Sequence, residues 1–161
     1  MEAENVRTQI RISRFRWFCA LKELRTRGAG YRESGAFFLG CPEKKKVTEV
    51  IFYDDIDSHA LNTGIVRLAG ESLIGVWDIC RTKGWDLLFD VHTHPTGSVA
   101  QSYSDQANPM VRRSGHTAVI VPSFAQRNLC SLTGCGIYEY LGNHKWRICQ
   151  STEHRIKLTL F

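Results

Sequence analysis

At 161 residues, with a net charge of +5 and a pI near 9.0, the chain is long enough for one good core and reads as a single domain over 1–161, its core near 7–150. No apolar run approaches the ~20 residues of a membrane span, and the polar start Met1-Glu2-Ala3-Glu4-Asn5 is not a signal peptide. These features point to a cytoplasmic protein that does not engage a membrane. The cysteines (Cys19, Cys41, Cys80, Cys130, Cys135, Cys149) are scattered through apolar stretches. They read as reduced core thiols rather than disulfides, and Cys130 with Cys135 has no second pair to make a structural zinc site.

Residues 7 to 12 partly alternate and suggest an edge strand. Ser13 is a helix N-cap, and a helix follows over about 14–27, with Phe15, Trp17, Phe18, Cys19 and Leu21 near one stripe. Gly28-Ala29-Gly30 ends it. Arg7, Arg11, Arg14, Arg16, Lys22, Arg25, Arg27 and Arg32 make this region basic. No nucleic-acid-binding motif accompanies the charge, so it reads as the solvated face of the helix, and no nucleic-acid partner is expected.

Glu33 follows in a short loop. Gly35 to Leu39 is a central strand and Val47 to Tyr53 its hairpin partner. Asp54-Asp55-Ile56-Asp57-Ser58-His59 is a polar turn rather than a second metal site. Thr63 caps a predicted helix along Ile65, Leu68, Leu73, Val76 and Cys80, with Arg67 and Glu71 paired on it and Gly84 ending it. Gly115 to Val121 is a buried strand closed by Pro122, with His116 structural. Gly136–Leu141 and Lys145–Gln150 make a hairpin. The alternating tail from Arg155 to Phe161 adds an edge strand or docks on a partner. The pattern is a three-layer α/β sandwich, a central mixed sheet flanked by helices.

The stretch that carries chemistry is His92-Thr93-His94-Pro95 followed by Ser102-Tyr103-Ser104-Asp105. Leu87 to Val91 is a buried strand, so His92 and His94 project side by side and Thr93 points away. Pro95 stops the pairing, and Thr96-Gly97-Ser98 lets the chain swing back to present Asp105. Two imidazoles and a carboxylate are a three-ligand set for catalytic zinc, with the fourth position left for water. Ser102 and Asp105 share a helical face, which sets a hydroxyl beside the metal. Asp90 has the parity of the histidines and either supports a ligand imidazole or faces another element.

This spacing, with Glu33 ahead of the apolar strand Gly35-Ala36-Phe37-Phe38-Leu39-Gly40, resembles the JAB/MPN+ (JAMM) zinc metalloprotease family over roughly residues 7 to 150. The resemblance implies the MPN/JAB sandwich, which is cytidine-deaminase-like. It also implies one Zn2+ on His92, His94 and Asp105, Glu33 as general acid and base, and Ser102 as donor to the oxyanion. Among such proteins the chain is similar to short bacterial members of ubiquitin-like conjugation operons, including antiphage systems. A ubiquitin-like protein, its conjugates, and the conjugating or activating enzymes of the operon are then the expected partners. The other readings are a JAB peptidase for sulfur-carrier or phage-tail peptidoglycan processing, a non-catalytic MPN-type scaffold, and a RadC-like DNA-associated protein.

Overall fold

The computed structural model describes residues 9–150 and 155–161. Eight strands form one sheet in the order β7-β6-β5-β4-β2-β3-β1-β8. In chain order they are β1 (Ile10–Ser13), β2 (Gly35–Cys41), β3 (Lys46–Phe52), β4 (Asp86–Thr93), β5 (Thr117–Val121), β6 (Gly136–Gly142), β7 (Lys145–Ile148) and β8 (Ile156–Thr159). The helices are α1 (Arg14–Gly28), α2 (Tyr53–Ile56), α3 (Leu73–Lys83) and α4 (Tyr103–Ala107). Parallel pairs (β4/β5, β1/β3, β1/β8) and antiparallel pairs (β2/β3, β2/β4, β5/β6, β6/β7) make the sheet mixed. The expected mixed α/β class is what the chain adopts. No helix among the described residues is long and apolar enough to cross a membrane.

Alternation along β2 builds the layers. Ala36 and Phe38 enter one apolar cluster with Trp17, Leu21 and Leu24 of α1. Phe37 and Leu39 enter a second with Val76 and Cys80 of α3. Successive strand residues face opposite ways, so α1 and α3 cover opposite faces and the sheet is the middle of three layers. The first cluster is tightly built, with Phe38 stacked on Phe89 at 4.4 Å between centroids. Each such fully buried side chain contributes about 1.5–3 kcal/mol.

The helix over 14–28 is capped as expected, Ser13 Oγ accepting from the Arg16 N–H. Its buried stripe is Trp17, Ala20, Leu21, Leu24 and Gly28. Phe15, Phe18 and Cys19 face solvent instead, because the spacing of three and four that starts at Trp17 leaves them on the far side. Of the cysteines only Cys80 is buried, and no disulfide joins any of them.

Three further expectations are corrected. The helix predicted from Thr63 begins only at Leu73, after a 3₁₀ turn over Gly70–Ser72. Val66 and Leu68 pack on the second cluster from irregular backbone, and their apolar spacing imitates a helix without one. Arg67 and Glu71 therefore do not share a helical face. The strand at 10–13 is not an edge: β8 pairs with it in parallel, Ile10 opposite Ile156 and Ser13 opposite Thr159. The tail thus takes the edge position offered for it, while Arg7 and Thr8 of the expected strand lie outside the described residues. The acidic turn after β3 holds a cation of the protein itself, Arg27 donating to Asp54 at 2.9 Å and Asp55 at 2.7 Å.

A bulge in β4 aims the site. Phe38 pairs with Phe89 but Leu39 pairs with Leu87, so Leu88 is an extra residue. Bulges re-aim the side chains beyond them. Here the result is that Leu87, Asp90 and His92 all look toward the α3 layer, although their spacing in an unbroken strand forbids it.

Gly35 lies opposite His92, and a Cβ there would fall 2.2 Å from the Tyr53 ring. That ring is fully buried and packed on Phe37 at 4.8 Å, so it has nowhere to go. Gly35→Ala is expected to destabilise the fold by about 1–3 kcal/mol. A thermal melt should then show a Tm lowered by roughly 3–10 °C, and an unchanged Tm would show that Tyr53 is free to move.

Candidate metal centre

The histidine strand is pinned on both sides. On one side it pairs with β2 through Gly35–His92, Ala36–Val91 and Phe37–Asp90. The Thr93 N–H donates to Ser34 O at 2.9 Å, which carries the contact one residue past the ladder. On the other side, the His94 N–H donates to Val121 O and His94 O accepts from the Phe124 N–H, each at 2.8 Å. The segment Ser123-Phe124-Ala125 that holds this end has three successive left-handed residues, φ 53°, 51° and 56°. Such a run costs roughly 1–2 kcal/mol per residue and persists only where its surroundings dictate it.

His92 and His94 are buried, and α4 brings Asp105 to them. His92 Nε2 lies 3.1 Å from His94 Nε2. Asp105 Oδ1 is 3.3 Å from the first nitrogen and Oδ2 3.2 Å from the second. Among the described residues this is the one group of His, Cys, Asp and Glu side chains gathered closely enough to hold a metal ion. Thr93 points away, as expected, and receives the Ser34 N–H at 3.0 Å.

Ser102 is the N-cap of α4. Its hydroxyl oxygen accepts from the Asp105 N–H at 3.1 Å, and Asp105 Oδ2 accepts from the Ser102 N–H at 2.7 Å. This reciprocal pair is a capping box. It fixes the carboxylate at the histidines and leaves the exposed hydroxyl proton of Ser102 free to donate.

Glu33 is the residue that strand pairing delivers from afar. It lies two residues before Gly35, which pairs with His92, and His92, His94 and Asp105 all act on its carboxyl. Its Oε2 accepts from the buried Val66 N–H at 3.3 Å, and its own N–H donates to Gly64 O at 2.8 Å. Next to it, the Ser34 hydroxyl donates to Leu24 O at 2.7 Å, tying the loop to α1. Burial lifts the Glu33 carboxyl above its ordinary value, against the pull of His92, the Val66 N–H and His94. A raised carboxyl holds a proton more readily than an ordinary one, as a group that takes and returns protons must.

Asp90 does not hydrogen-bond a ligand imidazole. Its Oδ1 is 2.6 Å from His116 Nε2, and its Oδ2 accepts from the Tyr53 hydroxyl at 3.3 Å. All three side chains are buried. This network lies under the site and was only half legible: the parity of Asp90 was clear, but its partners come from β5 and α2, remote in sequence. His116 is the structural residue expected.

The electrostatics of the metal-free site have a definite sign. For Asp105, burial opposes ionisation, but hydrogen bonds with His92 and His94 override it and hold the carboxyl well below the usual range. For His92, burial opposes protonation, but Asp105 outweighs it and the pKa rises. A raised histidine stabilises the fold below its unfolded pKa and ceases to do so as pH climbs through the folded value; a depressed carboxyl does the reverse on the acid side. The chelated protein is therefore expected to have its highest Tm between about pH 4 and 6.5, the unfolded values of the two groups, and to lose stability above. Added metal competes with the protons and should raise Tm most at the alkaline end. Melting curves across pH with and without metal check this; a metal effect that grows toward acid would contradict it.

No family model matches the chain. A solution structure of protein DSY2949 from Desulfitobacterium hafniense superposes with a TM-score of 0.59 at 17% identity, over 94% of this chain and 93% of that one. The two share a fold. AF2198, a JAB1/MPN domain protein from Archaeoglobus fulgidus, aligns with a TM-score of 0.49 at 18% identity over 84% and 97% of the two chains. A Salinibacter ruber protein aligns at 0.49 and 15% identity over 82% and 86%.

Proposed function

We propose that this protein is a JAMM-type zinc metalloprotease, an isopeptidase or peptidase that cleaves after the C-terminal tail of a ubiquitin-like protein. The observation that supports the reading is the cluster of His92, His94 and Asp105 with the buried Glu33 carboxyl close enough to be acted on by all three. The donor chemistry suits zinc, which takes imidazole and carboxylate ligands: the two Nε2 atoms stand 3.1 Å apart, and one oxygen of Asp105 faces each of them, at 3.3 and 3.2 Å.

Zinc, when bound, supplies a Lewis acid that brings a water's pKa to about 7. Glu33 accepts the proton released in the attack on the scissile carbonyl and returns it to the departing amine. The Ser102 hydroxyl donates to the oxygen that gains charge, a contact of about 3 kcal/mol in comparable sites. Asp105 and the two imidazoles hold their positions through the cap and the flanking strands.

The ubiquitin-like substrate rests on the residue pattern His92-Thr93-His94-Pro95 with Ser102, Asp105 and Glu33. Conjugating and activating enzymes of a bacterial defence operon are the proposed partners. The test is incubation of the zinc-loaded protein with ubiquitin-like proteins fused through their C-terminal tails to a reporter. Release of the reporter by a cut directly after the tail is expected. Zinc binding without any such cut would move the reading to another class of JAB peptidase. A protein that takes up no zinc would be a scaffold.

A further inference from the structure

A cleft of about 660 Å³ reaches the metal centre at Asp105. One wall is the irregular segment from Val66 to Leu68 with Gly70 and the start of α3; the other runs from Ser104 to Arg112. Two of its lining residues belong to the site: Asp105 is a metal-ligand candidate, and Val66 holds the Glu33 carboxylate through its N–H. A chain lying in this cleft therefore runs beside Asp105 and the backbone that holds Glu33. Leu68, Leu73 and Met110 give the cleft apolar surface.

Its charge is one-sided. Arg67 and Arg112 line it and are exposed. Asp105 is the one acid lining the cleft, and its carboxylate is engaged by His92, His94 and the Ser102 N–H. The arginines elsewhere that flank acids are paired with them, as Arg27 with Asp54 and Asp55, or Arg113 with Asp86. The Arg67 and Arg112 guanidiniums have no acidic partner among the described residues. A planar guanidinium with free donors matches a carboxylate geometrically.

We propose that this cleft is the substrate groove and that Arg67 and Arg112 make it select an extended peptide segment that carries carboxylates as well as apolar side chains. This rests on the hydrolase reading above and gives it a substrate class: the tail that enters is acidic. A basic tail would meet two unpaired arginines, and like charges across a groove work against binding.

The test uses Glu33→Gln protein loaded with zinc, so that binding is read without turnover. The probes are two fluorescein-labelled hexapeptides, Leu-Glu-Leu-Glu-Gly-Gly and Leu-Lys-Leu-Lys-Gly-Gly, followed by anisotropy at low ionic strength. The acidic probe is expected to bind about fivefold tighter, the size given by two solvent-exposed charge pairs, with the preference fading as salt is raised. It should persist after chelation of the zinc and reverse in the Arg67→Glu/Arg112→Glu double variant, whose folding is checked by its melting curve. Equal binding, preference for the lysine probe, preference lost on chelation, or an unchanged preference in the double variant would each overturn the assignment. These outcomes are separable from failure of the hydrolase reading. If the parent protein takes up no zinc and cuts nothing while the arginine-dependent preference stands, the activity is wrong and the groove is right. If fusions with basic tails are cut as fast as acidic ones, the groove assignment falls and the enzyme remains.

Discussion

Glu33→Gln is expected to keep its zinc and its fold while losing about 10²–10⁴-fold in turnover, the usual contribution of a positioned acid–base group. The isosteric amide can still accept from the Val66 N–H, which now holds Oε2 at 3.3 Å, so the loop stays in place. What disappears is the ability to take a proton. Glu33 is not one of the three donors gathered at 3.1–3.3 Å, so metal content should be unchanged. The measurement is kcat on a reporter fusion alongside zinc by atomic emission and a melting curve. Turnover at the parental rate would remove Glu33 from the chemistry. Loss of zinc in this variant would mean that the glutamate is a ligand instead.

Asp105→Ala should abolish metal binding. It removes both carboxylate oxygens and leaves two imidazole nitrogens 3.1 Å apart with no anionic partner. The parent is expected to hold zinc near one equivalent and the variant near none. Zinc at 100 times its dissociation constant stabilises a folded protein by about 2.7 kcal/mol, a gain that the parent should show and the variant should not. The substitution also deletes half of the α4 capping box, so a control is required. Ser102→Ala loses a cap worth about 1 kcal/mol but none of the three donors. It should melt lower than the parent, bind zinc, and turn over more slowly. If Asp105→Ala still takes up a full equivalent, the proposed donor set is wrong.

Much of this architecture was legible in the sequence where the relevant physics is local. Period-two alternation made the strand ending at His94 clear, and it set His92 beside His94 and Thr93 opposite. The return of Asp105 followed from Pro95, Gly97 and the short distance. Other features depended on pairings that no local pattern encodes. The position of Glu33 rests on a register between β2 and β4 that spans some sixty residues, so only the family resemblance could suggest it. The partners of Asp90 come from Tyr53 and His116, each distant along the chain. The helix expected from Thr63 begins only at Leu73 because Val66 and Leu68 bury themselves from irregular backbone at a spacing that a helix also produces. In α1, bulky aromatics drew the predicted stripe toward Phe15 and Phe18, whereas small residues, Ala20 and Gly28, let the helix approach the sheet.

Asp105 both grips the site and closes the first turn of a helix only five residues long. So short a helix cannot sustain itself by its own backbone bonds. In the metal-free protein Asp105 is held by protonated imidazoles, so depletion loosens the stretch from Thr96 to Asn108 only at alkaline pH, where a broad-specificity endoprotease should nick the depleted protein there first. Resistance to that cut becomes a gauge of occupancy, readable on a gel.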